Sequence, residues 1–172
     1  MTFHIWVHRP LLQVIILLLG SAVRGQHVEV NFKNTSLQLK VNVQQAFNFG
    51  VFAQGVHGGT ISVFPNSSRA ASGSVIPLNL GESSSPLVLE IEGTKGTVVS
   101  MLAGQTTILT GSNGGIMKLT LLDVNNAMPF IITNEAPAKN RVTIGAQLTV
   151  GDVSESPPGN YSGSLNLSFL TD

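Results

Sequence analysis

The 172 residues carry 9 Lys and Arg against 9 Asp and Glu, a formal net charge of zero, and charged side chains make up only 10% of the chain. So sparse and even a balance lacks the clustered cations that nucleic acid demands, and it supplies neither an acidic tail nor a basic membrane-surface helix. The absence of cysteine excludes disulfides, thiolate metal sites, thiol nucleophiles and a lipid-modified cysteine, while 42% hydrophobic content is too high for a disordered chain.

Residues 1–25 have the layout of a secretory signal peptide. A weakly positive start containing Arg9 precedes an apolar block at residues 11–19, and Ser21-Ala22-Val23-Arg24-Gly25 leads to the polar Gln26. Cleavage after Gly25 or after Ala22 both satisfy the pattern. The apolar block is about half the roughly 20 residues that a membrane span needs, so no transmembrane segment is expected once the leader is removed. Residues 26–172 are then expected to form a single domain, long enough to bury a core without a covalent staple. The product is then expected to be exported, to the periplasm, the cell surface or the medium.

Past the leader a period of two takes over. Val28 and Val30 are followed by Leu37, Leu39, Val41 and Val43, with Gln38, Lys40 and Asn42 between the last four. Such spacing places the aliphatic side chains on one face of a strand. The same habit marks Ile61 to Val63, Leu87 to Ile91, Ile116 to Leu121 and Leu148 to Val150, and most clearly Tyr161 to Phe169. Residues 97–102, 106–109 and 130–133 are further candidates. Turn signals separate these runs: Gly58-Gly59, Pro65-Asn66, residues 81–86, Gly93, Gly96, Gly104, Asn113-Gly114-Gly115, Asn125-Asn126 and Pro157-Pro158-Gly159. No mature segment has convincing helical spacing. Short strands at intervals of about 8–12 residues with Gly- and Pro-rich punctuation predict an all-β, antiparallel sandwich or barrel.

One string of residues is more particular. Phe49-Gly50, Gly58-Gly59-Thr60-Ile61-Ser62-Val63, Pro65, Arg69, Ser72-Gly73-Ser74-Val75, Ile91-Glu92-Gly93, Gly145-Ala146-Gln147-Leu148-Thr149-Val150 and Pro158-Gly159-Asn160-Tyr161-Ser162-Gly163 occur in that order. The string resembles a family of secreted bacterial domains of unknown function (number forty-four hundred and two), from about Leu37 to Phe169. The resemblance implies an immunoglobulin-like β-sandwich similar to fimbrial subunits, free of cysteine and without an established activity. The chain departs from it at residues 71–85, where Pro77 interrupts an expected strand, and at its end, Phe169-Leu170-Thr171-Asp172.

No motif carries catalysis or a cofactor. Glu90 and Glu92 lie two apart on one strand face, a spacing open to acid/base work or Ca²⁺, but plain alternation opposite Leu89 and Ile91 makes them a solvated face. Asp123-Val124-Asn125-Asn126 lacks calcium-loop spacing and reads as a turn. His57 cannot make a zinc site without further ligands, and no Gly-x-Ser-x-Gly elbow accompanies it. Residues 111–115 lack the lysine of a phosphate loop and read as a hairpin turn. Asn34, Asn66, Asn160 and Asn166 begin Asn-x-Ser/Thr triplets, which carry no weight in a bacterial protein. Tyr161 either turns its hydroxyl back to a loop carbonyl, as in the tyrosine corner of Greek-key sandwiches, or is an ordinary strand tyrosine.

What remains is the sheet edge, where free N–H and C=O groups can pair with another chain. Residues 26–43, with Leu37, Leu39, Val41 and Val43, are either a segment that complements a neighbouring subunit or the first strand of their own sheet. Two functions follow. The first is a non-enzymatic, fimbria-like structural subunit that self-assembles or joins other surface subunits. The second is a binding module whose loop 47–59, with His57, holds a glycan or protein ligand. A secreted hydrolase is a third and weaker alternative.

Overall fold

The computed structural model describes residues 26–34, 39–81, 83–101, 105–124 and 128–171. Among them the chain forms strands and no helix. In order they are β1 (Gln26–Asn34), β2 (Lys40–Gln45), β3 (Phe52–Val63), β4 (Arg69–Pro77), β5 (Leu87–Glu92), β6 (Val98–Met101), β7 (Thr106–Gly111), β8 (Ile116–Val124), β9 (Phe130–Ile131), β10 (Asn140–Val150) and β11 (Tyr161–Thr171). The expected leader, both its cleavage points, Leu37 and the Asn125-Asn126 turn lie outside the described residues.

The strands join into one sheet in the order β2-β5-β10-β8-β7-β11-β6-β9, with β1 on β11, β3 on β10 and β4 on β3. Every pairing is antiparallel except β1 with β11. Two long strands organise it by splitting their partners. The first half of β10 pairs β5, its second half pairs β3, and β8 runs along its other side. β11 likewise meets β7 near its start and β6 near its end, while β1 follows it from Tyr161 to Phe169.

Period two explains the core. Along β11, Tyr161, Leu165, Leu167 and Phe169 are buried, whereas Ser162, Ser164, Asn166 and Leu170 face solvent. They join Phe49, Phe52, Ile61, Leu89, Ile91, Leu109, Leu119 and Ile132 in one apolar cluster. Each such side chain contributes about 1.5–3 kcal/mol by leaving water. The sequence pattern falls short at β3 and β4. Residues 52–59, expected as loop, belong to β3, Gly58-Gly59 lies inside that strand rather than at a turn, and Pro77 closes β4 instead of breaking it. Pro65-Asn66 and Asn113-Gly114-Gly115 do turn the chain where expected, between β3 and β4 and between β7 and β8.

Polar side chains close the ends of the sheet. Asp152 Oδ1 accepts hydrogen bonds from Ser154 N (2.8 Å), Ser154 Oγ (2.6 Å) and Glu155 N (3.1 Å), and the Ser154 hydroxyl is the chief reason its carboxyl is held below the ordinary range. Ser156, fully buried, donates to Ile116 O at 2.6 Å and accepts from Gly151 N at 3.0 Å. Tyr161 is also fully buried, and its hydroxyl donates to Pro157 O, four residues earlier, at 2.6 Å. The corner geometry is therefore realised.

Tyr161→Phe should cost about 1–2 kcal/mol, because the loop carbonyl loses its donor. Burial raises the phenol above its ordinary value of 10.0. The stability from keeping this phenol neutral is thus complete below that value and is lost as pH rises through the raised, folded-state value. Urea titrations of both proteins at neutral and alkaline pH should show that the extra alkaline loss is confined to the tyrosine form.

Candidate functional site

The chain has little charge with which to guard its sheet edges, so the edges are where function is to be sought. Residues 26–43, read as one alternating segment, divide between two of them. Among the described residues β2 pairs only with β5, and β1 only with β11. Leu39 is buried, Val41 is half-buried against the core and Val43 is 39% exposed.

The β2 edge is protected. Lys40 Nζ lies 3.5 Å from Glu92 Oε1, Gln44 Nε2 donates to Glu90 Oε2 at 2.9 Å, and Lys139 pairs with that same Glu90 oxygen. The Glu90 carboxylate, by hydrogen bond first and charge second, raises the Lys139 ammonium above its ordinary value. A register shift between Val43 and Gln45 bends the strand further, as edge bulges do to discourage pairing. Glu90 and Glu92 are thus engaged by cations on a solvated face. A groove of about 390 Å³ beside them is lined by Lys40, Glu92, Gly93, Thr94, Glu135 and Ala136.

The β1 edge is built differently. Gln26 and Val28 are buried, Val30 and Phe32 pack against the core, and His27, Glu29 and Asn31 are exposed. The Phe32 ring lies 6.1 Å from that of Phe169. β1 therefore fills one side of the core with every second side chain, while its backbone pairs with a single neighbour among the described residues. Leaving that side empty would expose Val28, Val30, Phe32 and the strip of β11 beneath them, at about 1.5–3 kcal/mol for each large side chain.

The third feature carries His57. The β3–β4 register runs Gln54 to Val75 and then resumes at Gly59 to Gly73, so residues 55–58 oppose Ser74 alone. This wide bulge pushes His57 and the 77%-exposed Val56 outward. Ser74 secures it: His57 N donates to Ser74 Oγ (3.1 Å), and Ser74 Oγ donates to Gly58 O (2.9 Å). Positive φ at Gly58 (65°) and Gly59 (154°) makes the detour possible. His57 accordingly stands on a strand bulge, not in the loop expected for residues 47–59. No group of three or more His, Asp or Glu is placed to hold a metal among the described residues.

Two polar side chains that the sequence did not single out for a role tie loop segments to strand ends. Arg69 donates through one terminal nitrogen to Phe49 O (3.1 Å) and Val51 O (3.4 Å), and through the other to Leu78 O (3.1 Å) and Asn79 Oδ1 (3.3 Å). It ties the start of β4 to the segment after its end, beside a cavity of about 620 Å³ lined also by Pro77, Leu80, Gly81, Ser83 and Ser84. Asn140 is buried and makes five hydrogen bonds across the start of β10. The signals were the place of Arg69 in the family-like string, its position at the head of a charge-free stretch, and an asparagine at a strand start.

A protein-family model described as Domain of unknown function (DUF4402) matches residues 39–169. No curated protein and no solved structure matches.

Proposed function

The chain belongs to that family of domains of unknown function, and we propose that it is an exported, non-enzymatic structural subunit of a fimbria-like or other surface layer, assembling through β-strand pairing. In this reading the strands form an immunoglobulin-like sandwich, a view supported by the tyrosine corner at Tyr161. The observation that carries it is β1. This strand precedes the matched region, lies parallel along one neighbour, and fills the core with Val28, Val30 and Phe32. A second copy's residues 26–34 have the same side chains, so exchange between copies conserves every inward contact; such swapping is a low-cost route to association.

Light scattering tests this on residues 26–172 purified at increasing concentration. Assemblies larger than a monomer are expected. A chain beginning at residue 35 should stay monomeric and lose about 10 °C of Tm or more, at about 2–4 °C per kcal/mol for this size. Synthetic peptide 26–34 added in trans should restore the lost Tm. A strictly monomeric 26–172 at all concentrations would overturn the proposal.

The exposed pair Val56 and His57 on the β3 bulge favours a second reading, a module whose bulge holds a glycan or protein ligand. Bulges recur beside functional sites because they re-aim side chains.

A further inference from the structure

Gln26 opens β1 opposite Tyr161, on the same inward face as Val28 and Val30. It is only 7% exposed, and neither Oε1 nor Nε2 of its side chain has a hydrogen-bond partner. A buried primary amide with both ends unpartnered is rare and costly in folded proteins. The position accepts the bulk of the side chain while leaving its polar atoms unanswered. The same residue becomes the amino terminus if the leader is cut after Gly25.

We propose that the mature chain begins at Gln26 and that this residue closes to pyroglutamate. The inference rests on the exported reading above. In the closure the free α-amino nitrogen attacks the side-chain Cδ. The new N–Cδ bond forms as the Cδ–Nε2 bond breaks, and Nε2 leaves as ammonia carrying a proton from the amine. No oxidant or reductant is involved. The group expelled is the nitrogen that the fold strands, and the α-ammonium that would otherwise cap the strand becomes a neutral lactam N–H. Removing a terminal charge in this way suits burial. The reaction belongs to the interval before β1 seats on β11, or to moments when the strand end frays.

The test is the intact chain, leader included, exported by a bacterial host, purified and mapped by mass spectrometry. The expected amino-terminal peptide starts at residue 26, is lighter than its sequence by one ammonia, and resists Edman degradation until treated with pyroglutamyl aminopeptidase. Gln26→Ala should be cut at the same place and be sequenced directly. A mature chain starting at Val23, or at an open Gln26, would overturn the proposal while leaving export intact. An uncut leader would overturn both.

Discussion

Replacing Asn140 with alanine is expected to lower stability by about 3–5 kcal/mol, among the largest losses for a single polar side chain. The reason is the number of backbone groups it answers. Its Oδ1 accepts from Thr133 N (3.1 Å), Thr133 Oγ1 (3.2 Å) and Asn134 N (3.2 Å), and its Nδ2 donates to Ile91 O (3.3 Å) and Asn134 O (3.1 Å). Alanine would leave these partners short of a hydrogen bond in a site where Asn140 itself is only 7% exposed, at about 1–3 kcal/mol for each group stranded away from water. Asn140→Asp keeps the accepting oxygen but turns a buried carboxylate oxygen toward the carbonyls of Ile91 and Asn134, so at neutral pH it should cost at least as much as alanine. Urea denaturation measures all three. An alanine variant within about 1 kcal/mol of wild type would mean that water replaces the side chain and that it is no hub.

Gly58→Ala is expected to cost about 4 kcal/mol and to move His57. An added β-carbon would overlap the carbonyl oxygens of Val150 and Gly151, both fixed backbone atoms, at a φ of 65° that already disfavours a side chain. The strand can accommodate it only by drawing the bulge away from β10, which breaks the Ser74 bridge to His57 N and Gly58 O. Amide chemical shifts should therefore change from residue 55 to 60 and at Ser74, Val150 and Gly151, with little change in β11. Ser74→Ala, which removes the bridge without the clash, should cost only about 1 kcal/mol. Equal losses in the two variants would show that the serine bridge, not backbone crowding, sets the bulge.

The two candidate edges were legible to different degrees. In β8 and β11 the apolar residues alternate because one face meets the core, and this local pattern survives in the amino-acid order; β5 and β10, buried on both faces at residues 87–89 and 142–146, carry it only in part. Tyr161 was half legible: Pro157-Pro158-Gly159 marked the turn, but only the folded loop could bring Pro157 O to within 2.6 Å of its hydroxyl. The segment 26–43 looked continuous because Val28, Val30, Leu39 and Val41 share a period. Nothing in that period says that its first part follows β11 in parallel and its second part opposes β5. His57 was noticed for its chemistry and assigned to a loop because Gly58-Gly59 ordinarily ends a strand.

The order of residues by itself determined the all-β character, many of the strand positions and the scarcity of charge in the chain as a whole, since each follows from neighbours two apart or from simple counts. Tertiary structure alone decided the parallel seat of β1, the bulge under His57, and the bridging duties of Arg69 and Asn140. Those depend on carbonyls and side chains brought together from distant parts of the chain. A period of two specifies which face of a strand turns inward, but it carries no information about which strand will lie alongside.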